Sequence, residues 1–402
     1  MTAPRGYPAV ARVAPRPIEP WMAAAWFGFL VLFPIYLFRS GLPQLSSGIM
    51  AMLMTVTLLR GRRPPASSLA PALGLAAFAW YTALVSLVWT MIVGDLQIAR
   101  YPLFYIYNTL VVLCFLMMYG EAGRPLLRVT MIAVAWSLLF QVAAGVLLPG
   151  GGREKATFNN PNQLGYYALL CGCILLVGSR HIKINRALLL SAYLAVFVLA
   201  AMSLSKAAIV ASVVLFVIAT EKRPAVVVAL LGLVLALTMW ADYSTDMVDR
   251  VVDRFSQRGS DDNMEARGYS RILEHPQYLI FGAAEGANYR YSTGKELHST
   301  IGTVLYSYGA VGTVLFAVAV FLMGRMTGWR RLSYLVPVFA YGLTHQGLRF
   351  TMFWVLLAFI IACGEDAPAA RAAVPMKRRP VFARGRTPGA AVLAPSAQLR
   401  RP

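Results

Sequence analysis

Apolar residues run in long unbroken stretches along this chain, parted by short polar connections rich in Arg, Pro and Gly. One helical crossing of a bilayer takes about 20 such residues, because its hydrocarbon core is about 30 Å thick. The stretches 21–38, 42–59, 69–93, 101–119, 125–148, 162–178, 187–203, 206–219, 225–241, 299–323, 332–345 and 351–363 therefore predict about twelve transmembrane helices. Those at 206–219 and 332–345 are short for a crossing. None of the stretches alternates in the two-residue period of a membrane barrel strand. The expected fold is all-α: a polytopic helical bundle over 21–363 with one long loop, 242–297, between spans nine and ten. A basic N-terminal segment precedes it at 1–20, and a Pro-, Ala- and Arg-rich tail follows at 364–402, read as disordered. The N-terminal segment lacks the short apolar core of a cleaved signal peptide. No internal repeat is visible.

Composition agrees with this pattern. The 402 residues are 58% hydrophobic and 13% charged, with a mean hydropathy of +0.61. A soluble domain carries about 25% charged residues, so this chain has too little polar surface to cover a water-borne ball. In a soluble protein the net charge of +20 would suggest nucleic acid. In a membrane protein the question becomes sidedness. With the N-terminus cytoplasmic and the spans alternating, 24 of the 37 Lys and Arg fall on cytoplasmic segments and the tail. Six fall on short outer loops and seven on 242–297, which is the asymmetry of the positive-inside rule. Both termini are then cytoplasmic, and the tail is placed to touch anionic headgroups. Cys114, Cys171, Cys173 and Cys363 all lie in apolar runs and read as buried thiols, with no disulfide and no metal.

The outer face is poor in cations yet gathers the unusual residues. In 157-TFNNPNQLGYYALL-170, Asn160 suits a helix N-cap, Pro161 the first helical position, and Gln163 a capping box. A plain cap leaves Asn159, Asn162 and the upstream Arg153 and Lys155 unexplained. Ser203, Ser205 and Lys206 form a tight turn between spans seven and eight. Lys206 reads either as a snorkelling lysine or as a cation held at the surface for a phosphate. The loop 242–297 is expected to be mostly helical, with an amphipathic helix at 246–255 whose Met247, Val248, Val251, Val252 and Phe255 share one face. In 265-EARGYSRILEHP-276, Arg267 and Arg271 are four apart, which on a helix gives either a phosphate clamp or two solvated ion pairs. His298, at the junction of loop and span, is either an interfacial histidine or a general base, since a helix start disfavours the imidazolium. His345 and Arg349 border the last outer turn.

In this order the pieces resemble the superfamily of O-antigen ligases and O-antigen or exopolysaccharide polymerases. The resemblance rests on 158-FNNPNQLG-165, Ser205-Lys206, Arg267, His275-Pro276 with Gly282, and His298 with Gly309 and Gly312. It covers about 150–312. Three positions depart from the family pattern: Lys206 stands where arginine is usual, Ser299 where asparagine is usual, and IFGAAEG where a Gly-x-Gly turn is common. The resemblance implies about twelve helices, a bacterial inner-membrane location and a large periplasmic loop. It implies inverting, metal-independent transfer of a glycan from undecaprenyl diphosphate to a sugar hydroxyl, without a cofactor. His298 would be the base, with Arg267, Lys206, Arg153 and Arg271 on the diphosphate and Asn160, Asn162 and Ser205 lining the site. The partners implied are the lipid-linked oligosaccharide, an acceptor glycan, membrane lipids and other polysaccharide-assembly proteins, but no nucleic acid. Polymerase and ligase differ here only in acceptor, and divergence of the motifs favours polymerase. The rival from another class is a lipid-linked-sugar flippase, which would carry charged residues inside its spans.

Overall fold

The computed structural model describes residues 17–38, 42–148, 153–219, 253, 267–292 and 294–372. All regular structure among them is helical. In chain order the helices are α1 (Pro20–Leu32), α2 (Leu45–Leu59), α3 (Leu69–Val93), α4 (Tyr101–Ala122), α5 (Arg124–Leu147), α6 (Pro161–Ser179), α7 (Arg186–Met202) and α8 (Lys206–Ala219). After the long loop come α9 (Ser270–Glu274), α10 (Thr300–Ser307), α11 (Gly309–Thr327), α12 (Trp329–Leu332), α13 (Val336–Gly342) and α14 (Thr351–Ala372). Proline and glycine punctuate them. Pro20 and Pro161 stand in the first turns of α1 and α6, where a missing N–H costs nothing. Gly94, at φ +76°, ends α3, and Gly123, at φ +58°, parts α4 from α5.

Five described helices are long and apolar enough to cross a membrane: α3 with the 3-10 turn before it, α4 with the turn before it, α5, α6 and α11. Shorter apolar helices accompany them, namely α1, α2, α7, α8 and the Thr351–Glu365 part of α14. The protein is therefore consistent with a multi-pass membrane protein. Side chains from Met352 to Cys363 on α14 are all buried, as are those from Leu164 to Val177 on α6. Apolar all round, these two helices make the centre of the bundle. On the flank, α3 and α11 pack at a small-residue contact, where a Cβ on Gly74 would meet Ala319 at 3.0 Å. The far face of α3 exposes Leu73, Trp80, Leu84, Leu87 and Met91. An apolar face of that extent fits lipid rather than water. All four cysteines are buried.

The sequence pattern is corrected in three places. The stretch 299–323 is not one helix but two, broken at Tyr308. The carbonyls of Tyr306 and Ser307, which would accept from the next helical turn, take the N–H groups of Ala283 and Ala284 at 3.1 and 2.9 Å. Gly309 then turns the chain at φ +65°. At 332–345 the only α-helix beyond the end of α12 is the seven-residue α13, too short to cross a bilayer. The described stretches 267–292 and 294–297 of the long loop hold α9 and two 3-10 turns and are otherwise irregular, not mostly helical. Gly268, Gly282, Gly286 and Gly294 all sit at positive φ, and Pro276 closes α9. The expected span 225–241 lies outside the described residues, as does the expected helix 246–255 but for Asp253. At the other end, α14 continues past the expected 363 to Ala372.

Candidate active site

Asn160 and Pro161 take the cap and first-turn positions that their spacing predicts, but the capping box expected of Gln163 does not form. The side chain of Asn160, with φ −141°, accepts from the Asn162 N–H at 2.8 Å and caps α6, and Pro161 stands first in the helix. The other amides divide their work. Asn159 donates to the Phe38 carbonyl at 3.1 Å and ties the knot to the connection after α1. Asn162 accepts from Arg153 Nη2 at 2.6 Å, while Arg153 Nε donates to the Ser203 carbonyl at 3.1 Å. Arg153 thus bridges the knot to the turn between α7 and α8. That turn places Leu204 at φ +47°, a conformation that L-residues adopt only under constraint. Ser205 accepts from the Ala208 N–H at 3.4 Å and caps α8, whose first residue is Lys206.

Gly165 explains why the starts of α6 and α8 lie side by side. A Cβ there would stand 2.7 Å from Ala208 Cβ and 2.8 Å from Ser203 Oγ. Replacing Gly165 with alanine is expected to cost about 1–3 kcal/mol of stability, as overpacking does. The readout is the melting temperature of the purified protein, with Ala208→Gly in the same chain restoring part of the loss.

Around these helix starts opens a cavity of about 1600 Å³. Its lining includes Arg153, Asn160, Asn162, Ser205, Lys206, Arg267 and His298. Seven of the eight site residues that the resemblance implies therefore share one cavity, although they span almost 150 positions. Arg267 and His298 are joined through the backbone, the His298 N–H donating to the Arg267 carbonyl at 3.0 Å. The Arg267 guanidinium donates to the Thr344 carbonyl, which ties it to the 343–350 connection. His298 is exposed to the cavity one residue before the N-cap of α10, where Ser299 Oγ accepts from the Gly302 N–H at 2.9 Å. Residues at the starts of α6 and α8 and just before α10 thus surround one space. Helix N-termini carry partial positive charge and favour anions.

The eighth residue, Arg271, lies elsewhere, and the pairing of Arg267 with Arg271 on one helix face is corrected. Arg267 precedes α9 in a turn, and Gly268 at φ +71° redirects the chain between them. Arg271 is buried against Tyr291, its guanidinium 4.3 Å from the ring centre, and donates to Asn288 Oδ1 at 3.2 Å. Burial pushes its pKa down, since a low-dielectric site disfavours the charge. His275 lies in the same aromatic cluster, beside Tyr278 and Tyr291.

The cavity also contains groups that sequence reasoning passed over or left aside. Tyr341 donates to the Asn162 carbonyl at 2.8 Å, and its ring stacks on His345 at 4.5 Å and on Tyr166 at 4.7 Å. Arg349 and Glu296 form an ion pair at the rim, and Arg349 also faces the buried Glu285 at 3.4 Å. Burial works against the charge of Arg349, but the Glu285 and Glu296 carboxylates outweigh it and hold its pKa above the usual arginine range. An acid inside the apolar turn IFGAAEG was the available signal for Glu285.

Two helices contribute matching stripes. On α8, Lys206, Val210 and Val214 line the cavity at four-residue steps. Arg100, just before α4, is followed by Leu103, Phe104 and Tyr107 at helical spacing. Each stripe has a cation at the helix start and apolar or aromatic side chains beyond it. Leu103, Val210 and Val214 are exposed within this wall. A search of family models finds none that matches the chain, and no curated protein matches it.

Proposed function

We propose that this chain is a membrane glycosyltransferase that moves a glycan from undecaprenyl diphosphate to a sugar hydroxyl in surface-polysaccharide polymerisation. The observation that carries the reading is the single cavity holding His298, Arg267, Lys206, Arg153 and the amide knot beside two cation-headed apolar stripes. A donor with a diphosphate head and a polyprenyl tail has the same division. Lys206 and Arg267 would meet the charge that grows on the diphosphate as the sugar–phosphate bond breaks. Arg153, already engaged with Asn162 and Ser203, would act from the side while keeping the knot in place. His298 would take the proton of the acceptor hydroxyl as its oxygen attacks the anomeric carbon, which inverts that centre. No step calls for a metal. The tail of the donor would lie along the stripes of α4 and α8, reached from the bilayer. The cation asymmetry supports an orientation with both termini cytoplasmic and this cavity on the periplasmic face of a bacterial inner membrane.

The direct test is transfer by the purified full-length chain from a polyprenyl-diphosphate oligosaccharide to an acceptor glycan, read as released polyprenyl diphosphate. Arg267→Ala is expected to lower the rate about a hundredfold or more, the usual effect of removing one transition-state donor. Lys206→Arg is expected to keep partial activity, since the charge survives in a different shape. Full activity in Arg267→Ala would remove the diphosphate role. Chain extension on the lipid carrier identifies a polymerase, and transfer to a lipid A core acceptor a ligase.

A further inference from the structure

The charged cluster behind His298 has no direct part in the transfer just proposed. At its root is Glu285, 6% exposed. One carboxylate oxygen accepts from the Tyr308 hydroxyl at 2.7 Å and from that of Tyr105. Tyr105 belongs to α4 and Tyr308 to the break between α10 and α11, so this oxygen is fixed by two separate helices. The other oxygen faces Arg349 Nε at 3.4 Å and accepts from Gln346 Nε2 at 3.4 Å. The guanidinium of Arg349 lies 5.1 Å from the centre of the Tyr101 ring, and its Nη2 reaches Glu296. A buried carboxylate costs stability unless it is paired, and an apolar residue would fill the same space more cheaply. The cluster therefore needs a reason beyond packing.

That reason lies two residues on from Glu296. Between Glu296 and Ser299 burial alternates: Leu297 and Ser299 are buried, while Glu296 and His298 face the cavity. Alternation of this kind belongs to extended chain, in which residues two apart share a side. An ion pair on Glu296 thus fixes the segment that presents His298. The charge of Arg349 is already met by two carboxylates, so it adds no net positive charge for a diphosphate. We propose that Arg349, anchored by Glu285, is a positioning residue that acts on His298 through Glu296. Its consequence for catalysis rests on the transferase reading, whereas its consequence for the placement of His298 does not.

The test uses the full chain in lipid nanodiscs and measures acylation of individual histidines by diethyl pyrocarbonate, resolved by mass spectrometry. His181, next to Arg331 and remote in sequence from the cluster, is the internal reference. Arg349→Ala and Glu296→Gln are each expected to raise the rate at His298 by about fivefold, with His181 unchanged. Arg349→Lys is expected to fall between wild type and alanine. The double variant is expected to match the larger single effect, because both substitutions cut the same link. Additive effects, or an unchanged His298 rate in Glu296→Gln, would overturn the proposal. If Arg349→Ala also alters His181, Glu296→Gln decides alone, since it removes only the more exposed partner. In transfer assays both variants are expected to lower kcat more than they raise KM for the donor. A fully active His298→Ala would end the transferase reading and leave the His298 labelling result standing. An inactive His298→Ala with unmoved labelling in Glu296→Gln would end the positioning role alone.

Discussion

His298→Ala is expected to abolish long-chain glycan in a complemented polysaccharide-negative strain while the protein still inserts at normal abundance. General-base catalysis contributes about a hundredfold to ten-thousandfold, and a loss of that size leaves no visible polymer. The position separates chemistry from folding unusually well. The side chain is exposed to the cavity, so truncation removes little packing. The interactions that place the residue use its backbone and its neighbours: the N–H to the Arg267 carbonyl, the Ser299 cap, and the Glu296 pair with Arg349. None of these is lost with the imidazole. A flippase would tolerate the substitution, because moving a lipid-linked sugar needs no base. Wild-type glycan length from His298→Ala would therefore withdraw the base and point to transport. Single repeat units on the final acceptor would place the defect in polymerisation, and free lipid-linked polymer would place it in ligation.

The sequence made the helices and the candidate residues legible for a simple reason. Apolar runs of membrane length and caps such as Asn160-Pro161 are local signals, set by neighbours within one turn. Convergence of Asn162, Lys206, Arg267 and His298 was implied by the family resemblance together with their common side of the membrane, and the structure brings them to one cavity. What stayed hidden is non-local. The break at Tyr308 depends on carbonyls of α10 being taken by Ala283 and Ala284, some 23 residues upstream. Arg271 looked like a partner of Arg267 because a four-residue step shares a face only if the helix is continuous. Gly268 at φ +71° ends that condition. Glu285 could be noticed in its apolar turn, but its engagement with Arg349 joins residues 64 apart.

Gly309→Ala is expected to be the most destabilising single-methyl change at the break between α10 and α11. A Cβ there would lie 2.3 Å from the Ile280 carbonyl oxygen and 2.6 Å from the Gly282 nitrogen. Both are backbone atoms in a segment pinned by the Ala283 and Ala284 hydrogen bonds, so neither can turn aside as a side chain would. The positive φ adds strain of its own. Together these should cost about 3 kcal/mol or more, against about 1 kcal/mol for Gly294→Ala, which shares a positive φ of +60° but meets nothing within 4 Å. The comparison holds conformation constant and varies only the crowding. It is read as the drop in melting temperature of each purified variant. The damage should also reach the cavity, because the displaced 280–284 segment leads directly into Glu285 and so to Arg349. Transfer activity is expected to fall in Gly309→Ala even below its melting temperature, and to remain near wild type in Gly294→Ala. Equal melting temperatures for the two variants would mean that the 280–284 segment yields, and that the broken helix does not depend on the close approach of Gly309.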